Sequence, residues 1–277
     1  MTDVDRAEVL QRIEHYYDAV PRRFARVEEH GPFTLFLGKP EGWVYYARPR
    51  LGYEGPFDAA AVGSAMDRLG QLGLPAVLEW VHENTPGLLE AVRTEGSLDV
   101  EEIPLMLCTR LSGVTPDLPE AISVRILGDG EPLTVAASRA VADVGFAAAG
   151  TAAGAEGPAE RDSAGKAPQQ RVLDLISDGA LRVAVAEHLR HGVLATGRTM
   201  PVAGVTEIVG VASLPAARRQ GLGAAVTAAL VEDARAAGVE TVFLTASSDD
   251  VARVYRRIGF DRIGTGYAAE RLTPPPG

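Results

Sequence analysis

The stretch Arg218-Arg219-Gln220-Gly221-Leu222-Gly223 sits where a strand hands over to a helix, and nothing else in the chain constrains the fold as tightly. Ile208 to Leu214 is an apolar run that reads as a buried strand, and Pro215 ends it. From Leu222 onward, apolar residues recur at Val226, Ala229, Leu230 and Ala234, a helical period. Two glycines spaced by one residue at a helix start leave backbone N–H groups free and let an anion approach with no Cβ in the way. The paired arginines add fixed positive charge suited to a diphosphate. On this reading Arg218, Arg219, Gln220, Gly221, Leu222, Gly223 and Ala224 form a pyrophosphate-binding turn.

The turn is not of the kinds used for nucleotide hydrolysis or dinucleotide binding. A Walker loop needs Gly-Lys-Ser/Thr, and Gly-Ala-Ala stands here instead; a Rossmann fingerprint needs a third glycine and a later acidic residue at a spacing this chain lacks. Downstream, Thr241 to Ala246 reads as a second strand, and Ser248-Asp249-Asp250 starts a short helix with its cap and first-turn acids. That helix carries Tyr255. Gly259 fits a left-handed C-cap after it, and Phe260 opens a further strand.

Arg-x-x-Gly-x-Gly, a long helix, a strand, a short helix bearing a tyrosine, Gly-Phe and a last strand: this order resembles the GNAT acetyltransferase superfamily, over roughly Ile122 to Leu272. The resemblance implies an α/β (α+β) fold with a mixed central sheet of GNAT type, and acetyl-CoA as co-substrate. It implies that the backbone of Val211, Ala212 and Ser213 pairs with the pantetheine arm like an added strand, an N–H near Val211 polarising the thioester carbonyl. It also implies that Tyr255 protonates the departing thiolate. Glu207, at the start of the strand leading into the turn, matches the place of the general base in many members. Glu187, His188 and His191 on the preceding strands compete for that role. Apart from the resemblance, Tyr255 reads as an aromatic packed above Gly259 and Glu207 as an exposed strand-edge glutamate. Ser248 reads as a helix cap.

The activity so implied is acyl-CoA-dependent N-acyl transfer, with acetyl passing from acetyl-CoA to a small-molecule primary amine by direct attack in a ternary complex. Two alternatives stand beside it: a GNAT fold repurposed for another reaction, and a non-catalytic acyl-CoA-binding regulator.

At 277 residues the chain has the length of two domains. Ser112 to Pro119, rich in turn formers, marks the boundary. The expected division is residues 1–113, a linker at 114–121, a catalytic domain at 122–272 and a flexible tail at 273–277. In the first half, residues 3–20 place Val9, Leu10, Ile13, Tyr16, Tyr17 and Val20 on one helical face. Strands follow at 33–37, 43–47, 76–81 and 100–108, with helices at 58–72 and 86–94, the second ending at Glu95-Gly96. Strand, helix, Gly, strand repeats the order at 241–270, so this half reads as a degenerate GNAT-like domain. It lacks Arg-x-x-Gly-x-Gly and a tyrosine before Gly96, and is expected to have lost coenzyme binding. Residues 147–168, mostly Ala, Gly, Pro and small polar residues, are expected to be mobile, as a lid over the acceptor pocket or as a disordered insertion.

A net charge of −10 with no basic face argues against nucleic acid and suits a cationic amine acceptor. One cysteine, Cys108, excludes an internal disulfide, and the five histidines form no metal set. No apolar run has membrane-spanning length, and residues 1–20 are acidic and amphipathic. The expected location is the cytoplasm, with no membrane partner and the possibility of a homodimer left open.

Overall fold

A computed structural model describes residues 2–38, 46–110, 117–148 and 150–271. The chain divides into two compact units, Met1–Leu105 with Arg262–Gly277, and Met106–Asp261.

The first unit opens with helix α1 (Asp3–Arg22), started by a capping box in which Thr2 and Asp5 satisfy each other's backbone N–H. Leu10, Ile13, Tyr16 and Tyr17 of its expected apolar face are buried. The hairpin β1 (Arg26–His30) and β2 (Phe33–Leu37) follows, then β3 (Ala47–Pro49). The expected strand at 43–47 falls mostly on residues outside those described. Helix α2 (Ala59–Gln71), β4 (Val77–Val81), α3 (Leu88–Glu95) and β5 (Leu98–Cys108) complete the run. Alternation divides the sheet's faces: Phe33, Leu35, Ala47, Leu78 and Trp80 meet α2 and α3 in one apolar core. On the opposite face the buried Arg48 lies over the Tyr17 ring at 4.0 Å, with Glu14 at 3.5 Å and Glu79 at 3.9 Å. Burial outweighs Arg48 there and pushes the Glu79 carboxyl up to about 7.

The second unit contains β6 (Ile122–Ile126), α4 (Pro132–Ala147), α5 (Pro158–Ala164) and α6 (Gln170–Ser177). Strands β7 (Arg182–His188), β8 (Gly192–Thr199) and β9 (Val205–Ser213) then run antiparallel in sequence with β6. Helix α7 (Leu222–Ala236) crosses over to β10 (Thr241–Thr245), parallel to β9, and α8 (Asp249–Ile258) follows. Opposite faces of the sheet carry α7 and α4. Gly197 of β8 admits α7: a Cβ there would come within 2.9 Å of Val226 and 3.1 Å of Leu230. Gly145 of α4 lies against Ala212 and Ser213, and Ala212 points away from its neighbour Val211, which packs toward Gly197 and α7.

The last strand, β11 (Phe260–Arg271), departs from the sequence expectation. Residues through 272 were expected to stay with the second domain, but from Arg262 onward the chain belongs to the first unit. There β11 lies antiparallel to β4, Tyr267 opposite Trp80 with their rings stacked at 5.1 Å. Arg271 binds Asp67 and Glu95. Of the expected boundary, 111–116 lie outside the described residues, as do 272–277.

Candidate active site

Strand β9 leaves half of its backbone without a strand partner. Among the described residues it pairs with β8 from Ile208 to Ser213 and with β10 only through Val205, Thr206 and Glu207. Beyond Glu207 the two parallel strands part, so the edge of Ile208–Ser213 on the β10 side has no ladder there. Backbone groups of that kind are obligatory donors and acceptors, and an extended ligand can satisfy them as a strand would.

Inside this stretch β9 carries a bulge. Arg198 pairs with Val209 and Thr196 with Ala212, so Gly210 and Val211 together face Gly197. Gly210 adopts φ +64°, a left-handed conformation that a Cβ resists. The bulge re-aims the strand: Val209 and Val211, two apart, leave on opposite faces.

At the end of β9, Pro215–Ala217 forms a single turn, and Arg219 and Gly221 both take left-handed φ, +64° and +79°. Gly221 is the N-cap of α7 and no side chain caps this helix, so its first N–H groups point outward unclaimed by one. Left-handed φ at two positions just before a bare helix start gathers backbone N–H groups into a concave nest of the kind that suits an anion. Arg219 and Gln220 are exposed beside it. Gly223 follows in the first turn, where a Cβ would meet nothing nearer than 3.6 Å, so the protein's own packing does not demand glycine there.

Where β9 and β10 separate, the Thr245 hydroxyl donates to Glu207 Oε1 at 3.3 Å. Glu207 is half-buried at that fork. Tyr255 lies on α8, its ring 5.9 Å from that of Phe260, and burial pushes its hydroxyl up to about 12. Ser248 caps α8, accepting from Val251 N, and Gly259 ends it at φ +112°.

Residues 158–260 match the model of the acetyltransferase (GNAT) family. This stretch is a GNAT domain. The chain's fold is similar to that of a GCN5-related N-acetyltransferase from Kribbella flavida (TM-score 0.70, 23% identity, covering 97% of this chain and 96% of that one). It is also similar to a GCN5-related N-acetyltransferase-like protein from Streptococcus suis (TM-score 0.57, 13% identity, 96% and 99%). A tandem GNAT protein from the clavulanic acid biosynthesis pathway is a third likeness (TM-score 0.53, 14% identity, 87% and 79%). These matches take in both units, so the GNAT-like fold reaches the first half of the chain as well. No curated protein matches.

Three sequence expectations about the GNAT domain change on this geometry. Arg218, expected to face a diphosphate, turns its guanidinium to three backbone carbonyls, Gly145 and Ala148 at the end of α4 and Ala152 beyond it. It closes the C-terminus of α4, a favourable place for a cation, and ties it to the nest. The segment 147–168, expected to be mobile, contains α5 and is bonded to its surroundings. Gly154 N donates to Pro215 O and Ala216 N to Glu156 O, while the buried Arg161 donates to the carbonyls of His191 and Val193. Finally, Glu187, His188 and His191 do not share the fork with Glu207. They lie at the β7–β8 turn, level with the end of β9, about 20 Å along the strand from Glu207 at 3.3 Å per residue. Glu187 is bound to Arg125 at 2.7 Å.

Sequence reading passed over Arg198. It is half-exposed in a strand whose other residues from Val193 to Thr199 are buried, and a charge within an apolar run was the signal available.

The first unit has the corresponding helix start but not the anion nest. The Asp58 carboxylate caps α2 by accepting from Ala61 N at 2.7 Å, placing a negative charge where α7 presents bare donors. Among the described residues no group of three or more metal-ligating side chains occurs, and no helix is long and apolar enough to cross a membrane.

Proposed function

We propose that the second unit transfers an acyl group, acetyl from acetyl-CoA, to the primary amine of a small molecule by direct attack in a ternary complex. The observation that carries this reading is the unpaired edge of β9 running from a bulge at Gly210–Val211 to the uncapped N-terminus of α7. A pantetheine arm fits such an edge as an added strand, with its diphosphate on the nest of Arg219, Gln220, Gly221, Leu222, Gly223 and Ala224. Val211, Ala212 and Ser213 supply the edge, and Arg218 supports the nest from behind.

In this scheme holding both reactants together provides much of the acceleration, up to roughly 7–11 kcal/mol where alignment is good. The ammonium of the acceptor gives a proton to Glu207, directly or through one water. The neutral nitrogen attacks the thioester carbonyl, whose developing negative charge is met by the Val211 N–H. The C–N bond forms, the C–S bond breaks with the thiolate leaving toward Tyr255, and the nitrogen gives its second proton to that sulfur, so that a neutral amide and a thiol result. A phenol at about 12 remains protonated throughout the neutral range and is a weaker acid than an ordinary thiol at about 8.5. Tyr255 therefore acts on the thiolate mainly as a hydrogen-bond donor. Replacing Tyr255 with Phe is expected to lower kcat by about 10- to 100-fold while acetyl-CoA affinity stays put, since one donor to a charged group is lost. Unchanged turnover would remove Tyr255 from the scheme.

The first unit, with Asp58 on its helix start, serves as a companion that binds no coenzyme. Calorimetric titration with acetyl-CoA tests the whole reading. One site per chain is expected; two would give the first unit a coenzyme site, and none in folded protein would favour a repurposed fold.

A further inference from the structure

Arg198 departs from β8 on the face opposite Gly197, because neighbours along a strand alternate and the Gly197 face is filled by Val226 and Leu230 of α7. Its cross-strand partner is Val209, and Glu207, two residues earlier, leaves β9 on that same face. Arg198 and Glu207 are thus diagonal neighbours, a separation that long side chains span. The Arg198 side chain also lies across the bulge: a Cβ on Gly210 would stand 3.4 Å from its Nε and 3.8 Å from its Cζ. So one cationic and one anionic side chain flank the part of β9 where the thioester is placed above, on the face away from α7.

We infer that Arg198 holds a carboxylate of the acceptor, so that the substrate is a primary amine that also carries a carboxylate group. This rests on the acyl-transfer reading of the β9 edge. A guanidinium offers five donors in a planar fork, enough to engage Glu207 and a ligand carboxylate together. The pair complements an ammonium and a carboxylate held on one small molecule. A simple alkylamine brings its positive charge beside Arg198 and offers that residue nothing in return. The reaction keeps its balance: one ammonium proton passes to Glu207, nitrogen bonds to the acyl carbon as the C–S bond breaks, the second nitrogen proton goes to the departing sulfur, and the amide product retains its carboxylate against Arg198. The chain's net charge of −10 favours a cationic acceptor only in bulk, and Arg198 adds the local distinction.

The test uses the full chain with acetyl-CoA and matched probes, 4-aminobutyrate against butylamine and phenylalanine against phenethylamine, within a wider amine panel paired in the same way. The acid-bearing members are expected to exceed their partners in kcat/KM by roughly 10- to 100-fold, the range of a charge-assisted hydrogen bond. Arg198→Gln should erase that preference through KM while calorimetric acetyl-CoA affinity holds. Arg198→Lys, which keeps the charge but loses the fork, should retain an intermediate preference. Amines without a carboxylate reacting as well as their partners would overturn the inference, as would a preference that survives in Arg198→Gln. Acetyl-CoA binding with no acid-bearing amine transferred overturns it too, yet leaves the coenzyme site standing. Failure to bind acetyl-CoA removes both.

Discussion

Gly223→Asp is expected to abolish acetyl-CoA binding, with affinity at least about 100-fold weaker, while the protein melts no earlier than the parent. The two halves of that result separate site from scaffold. An aspartate in the first turn of α7 has room, because the nearest atoms to its Cβ would be Val211 Cγ1 at 3.6 Å and Ser213 Oγ at 3.9 Å. It also suits the helix, since a negative charge near an N-terminus contributes about 0.3–1 kcal/mol. What it cannot accommodate is a diphosphate on the same N–H groups. Two like charges within about 4 Å cost some 4 kcal/mol at an intermediate effective dielectric, more than the 2.7 kcal/mol that a 100-fold loss requires. Calorimetry beside a thermal melt reads both quantities. Tight binding in this variant would mean that the diphosphate sits elsewhere.

Glu207→Gln should reduce kcat/KM by about 100- to 10,000-fold, the usual contribution of a positioned general base. The amide keeps the size of the side chain and can still accept from the Thr245 hydroxyl, so acetyl-CoA affinity should not change. The more telling readout is the rate profile. With Glu207 as base, activity falls on the acidic side as the carboxylate takes up its proton, and the glutamine variant should lose that limb. An acidic limb that persists unaltered would assign the base to another group. Glu187 and the pair His188 and His191 are poor substitutes, since they sit at the far end of the hairpin.

Local chemistry made the frame of the second unit legible from sequence. Pro215 ending β9, Gly221 opening α7, Ser248 capping α8 and Gly259 closing it each act within a few residues of themselves, so their meaning survives without tertiary context. Elements held by distant partners were not legible. Strand β1, Arg-Val-Glu-Glu-His, shows no apolar alternation and exists as a strand because it pairs with β2. Segment 147–168 has the composition of a loose chain, yet its order comes from bonds to Pro215, Ala216, His191 and Val193. Composition counts what a segment can bury and overlooks a backbone hydrogen-bonded from outside. Arg218 shows the same limit at one residue: its place in Arg-x-x-Gly-x-Gly is local, but the direction of its side chain is set by the end of α4, some seventy positions earlier.

The return of β11 to the first unit sets the order in which this protein can be completed. A chain grows from its N-terminus, and domains ordinarily fold as they emerge. Here the strand that lies against β4, with Tyr267 stacked on Trp80, is synthesised after the whole of Met106–Asp261. Until then β4 presents an unpaired edge, the kind that invites pairing with other chains. The first unit gains its last strand only after the second has been synthesised, and a fragment ending at Asp261 would lack the residues that pair with β4.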